Sequence, residues 1–188
     1  MTISSELLLQ IAGRARGVIR RGASGLRDHR GSVAVEFAMI GVPLLFTILA
    51  TLETLLVILA TASLSSVTSL AARQIRTGQL PATTTTAASF GQIVCSNMSW
   101  LNTTCANSIH VNTQVFTSFA SITTPNVVTN GAFDASNLQF SVGNAGDIVM
   151  VKTYMTWNLA TPLLSYAFGG LSNGQIILSA SSAFRNEP

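Results

Sequence analysis

A glycine, a serine and a glutamate stand where a basic tract gives way to a long apolar run. Gly31 and Ser32 follow Arg30, and Glu36 and Phe37 open the apolar run. A carboxylate inside an apolar helix is costly unless a partner satisfies its charge. Cleavage between Gly31 and Ser32 would create that partner, because the new α-amino group and Glu36 are four residues apart and share one helix face. If the chain is cleaved there, Glu36 can pair with its own amine or with that of a neighbouring chain.

The apolar run is long enough to be a membrane helix. Residues 37–61 are overwhelmingly Leu, Ile, Val, Ala and Phe, and exceed the roughly 20 residues that cross a bilayer. A helix over residues 32–72 would be about 60 Å long, twice the hydrocarbon thickness, so its second half should emerge from the membrane. Arg73 and Arg76 suit the negative end of the helix dipole, and Gly78 suits the position just after the helix.

The charge distribution predicts the orientation of this helix. Residues 1–31 carry six arginines against two acids, whereas residues 32–188 carry four basic residues against five acids. A basic flank beside an apolar helix is typical of the cytoplasmic side. The amino end is therefore expected in the cytoplasm and the carboxyl end outside it. Because no basic stripe continues past Arg30, nucleic acid is not an expected partner.

The remaining residues predict a small α+β head. Apolar residues at helical spacing indicate a helix over about 86–101, and alternating runs indicate strands at 109–115, 149–157 and 176–184. Residues 138–142 are a candidate fourth strand, and the turn signals are Asn130-Gly131, residues 143–147 and Asn173-Gly174. The expected fold is a long transmembrane helix followed by a helix and a mostly antiparallel sheet of three or four strands. We divide the chain into a cleaved basic leader (1–31), the helix (32–78) and an extracytoplasmic head (79–188).

Two cysteines and two histidines complete the set of reactive side chains. Cys95 and Cys105 lie in the exported part, where a disulfide is the expected state. A metal site lacks partners, because His29 is on the other side of the membrane and His110 stands alone. We expect His110 and Lys152, both on strands, to face water.

Catalytic chemistry has little support in the sequence. Between residues 79 and 186 the only acids are Asp134 and Asp147, and no base or nucleophile-elbow pattern accompanies the many Ser and Thr residues. No phosphate-binding glycine loop is present. We therefore expect neither an enzyme nor a cofactor.

Gly31 followed by Glu36-Phe37 resembles the processing site of type IV pilins. The wider stretch from Arg27 through Ala38, with Pro43-Leu44-Leu45, Glu53 and Ala71-Ala72-Arg73, resembles the TadE family of the tight-adherence (Tad/Flp) pilus system. Residues 147–157, Thr161-Pro162 and residues 184–188 are similar to the carboxyl half of such proteins. The resemblance is dense over the helix and patchy over the head.

This resemblance implies a minor pseudopilin of the bacterial inner membrane with a pilin-like fold. A prepilin peptidase would cleave it at Gly31, and Glu36 would take the place of the pilin glutamate in assembling an adhesive pilus. The implied partners are the peptidase, other pilin and pseudopilin subunits and the Tad inner-membrane assembly machinery. Thr54 departs from the Tyr, Phe or Gly that relatives often carry after this glutamate, and leaves the role of Glu53 open.

Several alternatives stay open at this stage. Glu53 either reaches the outer headgroups or makes a specific contact, and Pro43 is either a bending point or a tolerated membrane-helix proline. The span could also be an ordinary signal-anchor helix. The rival function is a single-pass, membrane-anchored extracytoplasmic binding protein or adhesin that never enters a filament. Processing after Gly31 distinguishes the two functions.

Overall fold

The structure, a computed structural model, describes residues 32–168 and 170–188. The first element is a helix of 45 residues, α1 (Ser32–Arg76). The chain divides into two compact units, the first ending at Leu49 and the second being Ala50–Pro188. We call residues 32–49 the exposed segment of α1 and residues 50–76 its packed segment.

The carboxyl end of α1 follows the sequence prediction closely. The N–H of Gln79 donates to the carbonyl of Gln74 (2.9 Å), and that of Gly78 donates to the carbonyl of Ile75 (3.0 Å). This pair of bonds is a Schellman motif, which requires left-handed backbone after the helix. Gly78 supplies it with φ of +70°, a conformation that costs glycine little.

The head is an α+β unit, as predicted. Its helices are α2 (Ala87–Ser96), α3 (Asn102–Ser108) and α4 (Pro162–Ala167), with 3-10 turns at Ser99–Leu101 and Phe119–Ser121. Its strands are β1 (Ile109–Phe116), β2 (Val128–Thr129), β3 (Ala132–Phe133), β4 (Ile148–Asn158) and β5 (Gln175–Arg185). β4 lies between β1 and β5 and is antiparallel to both, and β2 and β3 form a separate hairpin.

One face of the three-stranded sheet packs against helices to form the core of the second unit. The packed segment contributes a stripe of buried residues at spacings of three and four. Its members are Val57, Ala60, Leu64, Val67, Ala71 and Ile75. Opposite lie Val149, Val151 and Met155 of β4, each with no exposed surface. This pattern is typical of an amphipathic helix that covers a sheet.

The helix predicted over residues 86–101 forms two shorter pieces. α2 begins with a capping box between Thr86 and Ser89 and ends at Ser96, and a 3-10 turn follows at Ser99–Leu101. α3 was not predicted. The Cys95–Cys105 disulfide joins α2 to α3, and both cysteines are buried in the core.

The outer edge of β1 and the second face of the sheet are both covered by chain segments that the sequence did not place there. Residues 138–142 form no strand: a single parallel bridge joins Phe140 to Thr113 of β1. The side-chain oxygen of Asn112 accepts the N–H of Gln139 at 2.9 Å, so a side chain takes the place of a ladder bond. The predicted turn at Asn130-Gly131 connects β2 to β3, and both residues have positive φ. Asn112 and Thr113 are both buried although polar: Asn112 lies on this second face, whereas Thr113, opposite Val151, points to the face that the helices cover.

Candidate functional site

The predicted processing and assembly site lies at the beginning of α1. Gly31 lies outside the described residues, and Ser32 is the first residue of α1. Glu36 is one helical turn further along, so the backbones of Ser32 and Glu36 share a helix face. Phe37 is 77% exposed, and its apolar neighbours in the exposed segment are exposed as well.

The Glu36 carboxylate has no hydrogen-bond or ion-pair partner among the described residues. Its side chain is exposed between Val35 and Phe37, in a segment whose surface is otherwise apolar. Such a carboxylate is costly in a lipid environment, and a nearby positive charge would remove much of that cost. The geometry therefore leaves Glu36 available to an amine.

Pro43 lies inside the exposed segment, and α1 continues through it. Proline removes one backbone donor from a helix. The hydroxyl of Thr47 donates to the carbonyl oxygen of Pro43 at 2.8 Å, so a side chain adds a bond beside the proline. Whether α1 bends here in a filament stays a prediction.

Glu53 makes a specific contact within the second unit. One carboxylate oxygen accepts the N–H of Ala160, and the other accepts the N–H of Thr161 at 2.9 Å. These amides lie immediately before α4, which begins with Pro162. Hydrogen bonds to an ionised acceptor are stronger than neutral ones. Glu53 therefore holds the chain that leads into α4 against the packed segment.

A buried polar contact that was not predicted joins α1 to the sheet. The hydroxyl groups of Thr68 and Thr153 are 2.7 Å apart, and neither side chain has exposed surface. Each hydroxyl gives the other a partner that water cannot supply there. The serines and threonines of the packed segment were the only sequence signal, and they do not single out Thr68.

The expectation that His110 is solvated is wrong. Its imidazole is half-buried and stacks on Phe133, with ring centroids 4.4 Å apart and an interplanar angle of 30°. Burial lowers the pKa of His110, because desolvation disfavours the charged ring. Lys152 is also half-buried, and its ammonium lies 5.2 Å from the ring centroid of Tyr154. Both side chains lie on the face of the sheet that the β2–β3 hairpin helps to cover.

Within the described part of the chain, no group of three or more His, Cys, Asp or Glu residues could hold a metal ion. α1 could also span a membrane, because its residues Val33–Arg76 are long and apolar enough to cross one. This is consistent with a single-pass membrane anchor.

Comparisons with known proteins bear on the helix alone. No curated protein and no solved structure matches the chain. A family model does match, over residues 31–73, and its description is TadE-like protein. The matched residues begin at Gly31 and include Glu36, Pro43 and Glu53. The resemblance to the TadE-like family is therefore confirmed over α1, and it suggests involvement in the Tad pilus system.

Proposed function

We propose that this chain is a minor pseudopilin of a Tad/Flp pilus. A prepilin peptidase cleaves it after Gly31, α1 anchors it in the bacterial inner membrane with its amino end cytoplasmic, and the head lies outside the cytoplasm. The protein acts in pilus assembly and not as an enzyme. Its partners are the peptidase, other pilin and pseudopilin subunits and the Tad inner-membrane assembly machinery.

One observation carries this proposal: α1 begins at Ser32, and one turn into its apolar, exposed surface stands the Glu36 carboxylate, which has no partner in residues 32–168 or 170–188. An ordinary signal anchor has no use for such a carboxylate, whose burial in lipid is unfavourable. Processing at Gly31 places an ammonium at Ser32, on the same helix face as Glu36. The match of residues 31–73 to the TadE-like family supports the same site.

The exposed segment suggests where the other subunits bind. Apart from Glu36 and Thr47, its exposed side chains are apolar around the circumference, so both lipid and neighbouring membrane helices can cover it. Pairing of Glu36 with the terminal amine of a neighbour would favour helices docked at a fixed axial offset, because an unpaired carboxylate among them is costly. Glu36 thereby determines the axial alignment of neighbouring helices and also strengthens their association.

The substitution Glu36→Ala tests this role. Cleavage should continue, because the peptide bond and Gly31 are unchanged, but pili should be lost or strongly reduced. Immunoblotting of the membrane fraction measures processing, and electron microscopy of the cells measures piliation. Val35→Ala is the matched control, since Val35 is exposed, adjacent and uncharged, and it should leave both measurements unchanged.

Normal piliation in cells carrying Glu36→Ala would contradict the pairing role. A chain that is never cleaved in piliated cells would instead favour the rival function, a membrane-anchored binding protein or adhesin outside the filament.

A further inference from the structure

α4 (Pro162–Ala167) ends in two exposed aromatic side chains. Tyr166 is 89% exposed and Phe168 is 49% exposed. No Asp, Glu, Lys or Arg occurs near them in the sequence, because none lies between Lys152 and Arg185. Neighbouring exposed apolar side chains, unlike single ones, mark a surface that contacts a partner or a membrane.

The position of α4 along α1 is fixed by Glu53. The carboxylate of Glu53 binds the N–H groups of Ala160 and Thr161, the two residues that precede α4. About 20 helical residues cross the hydrocarbon core of a bilayer; counted from Ser32 they end at Thr51, and counted from Phe37, where the apolar run begins, they end at Leu56. Glu53 lies between these two ends, at the expected outer boundary of the hydrocarbon. α4 therefore begins at the depth of that boundary.

The surface of α1 near Glu53 is apolar at the same depth. Leu52, Leu55 and Leu56 are all exposed, although they belong to the unit that contains the head. Phe168 lines one cavity with Val57, which is one helical turn beyond Glu53, so the aromatic residues at the end of α4 lie near this apolar surface of α1. Tyrosine and other aromatic side chains favour the interfacial layer of a bilayer, where an apolar ring and a polar tip are both satisfied.

We propose that α4, with Tyr166 and Phe168, inserts into the outer interfacial layer of the membrane that α1 crosses. The occupant of this surface is lipid at the boundary between headgroups and acyl chains. The aromatic side chains set how deeply the head sits, and the bonds from Glu53 hold α4 at that depth. The inference rests on the membrane anchoring in the proposed function, and it is independent of cleavage at Gly31.

Tryptophan probes in vesicles test the insertion. The full chain carrying Tyr166→Trp or Phe168→Trp is reconstituted into phosphatidylcholine–phosphatidylglycerol vesicles containing lipids with a nitroxide near the headgroup or deep in the acyl chain. The unsubstituted protein gives the background from Trp100 and Trp157. Phe119→Trp is the matched control, because Phe119 is a head aromatic that is 56% exposed and lies outside α4 and the residues that flank it. Phe37→Trp reports insertion of α1.

The expected result is depth-dependent. The shallow nitroxide should quench the probes at 166 and 168 at least twofold more than the deep one, and aqueous acrylamide should quench them weakly. The Phe119→Trp probe should respond to acrylamide and to neither lipid.

Two results would overturn the inference, and they are distinguishable. Strong lipid quenching at Phe37→Trp with acrylamide quenching and no lipid quenching at Tyr166→Trp would leave the anchor intact and assign α4 to solvent or to a protein partner. No lipid quenching at Phe37→Trp would overturn the anchoring itself, and the inference with it.

Discussion

The exposed and packed segments of α1 belong to one helix but differ in which of their side chains are buried. In the exposed segment apolar side chains surround the helix, whereas in the packed segment a narrow buried stripe alternates with exposed Ser65, Ser66 and Ser69. A helix that is apolar all round is suited to an environment that is apolar in every direction. A helix with one apolar stripe is suited to packing against a sheet on that side. We therefore expect an apolar residue in α1 to stabilise the head only where it belongs to the buried stripe of the packed segment.

Leu64→Ala should have the largest effect on the free energy of unfolding of the head. Leu64 has no exposed surface, so its truncation leaves a cavity and should cost about 2–5 kcal/mol. Leu45→Ala in the exposed segment should change it by less than about 0.5 kcal/mol. Near-ultraviolet circular dichroism of the full chain in detergent micelles, followed against denaturant, measures both. Equal losses would break the comparison.

Removal of the disulfide should come next. The double variant Cys95→Ala, Cys105→Ala opens a loop closed over a sequence separation of 10, and should destabilise the head by about 2–3 kcal/mol. The helix of the exposed segment should be unaffected, because none of its residues belongs to the head core. An unfolding midpoint unaffected by the double substitution would contradict this assignment.

The Thr68–Thr153 contact should have a smaller and more informative effect. Thr68→Val leaves a buried hydroxyl on Thr153 without its partner and should cost about 1–3 kcal/mol. The double variant Thr68→Val, Thr153→Val should recover part of that loss, since no hydroxyl is then orphaned. Strictly additive losses in a double-mutant cycle would show that the two hydroxyls are energetically independent. Thr47→Val in the exposed segment is the control.

The smallest effect should be a pH dependence confined to the head. Burial lowers the pKa of His110 below its ordinary value of 6.5, so the unfolded chain binds this proton more tightly than the folded one. The stability contributed by neutral His110 is present above pH 6.5 and is lost as pH falls through the lower folded value. In the variant His110→Gln, the free energy of unfolding should change less with pH between about pH 7.5 and about pH 5. Denaturant unfolding at a series of pH values measures this dependence. An unchanged slope would refute the role of His110.

Local chemistry made one part of the molecule predictable from sequence. The end of α1 was foreseen from Arg73, Arg76 and Gly78, because dipole pairing and left-handed backbone involve neighbouring residues. The strands corresponding to β1, β4 and β5 were foreseen from their alternation.

Long-range contacts account for what the sequence could not predict. Glu53 binds backbone amides more than 100 positions away, and backbone N–H groups leave no mark on residue type. His110 was expected to face water, and it stacks on Phe133 of the β2–β3 hairpin, whose placement no periodicity indicates. The candidate strand at residues 138–142 is reduced to one bridge because the Asn112 side chain takes a bond that a strand would need.

The amino-terminal sequence of the protein from the membrane fraction of piliated cells tests the central claim most directly. The account predicts a mature chain that begins at Ser32, and predicts that Gly31→Leu leaves the leader attached and abolishes piliation. Native protein that begins at Met1 in piliated cells, or that has lost the whole of α1, would contradict it.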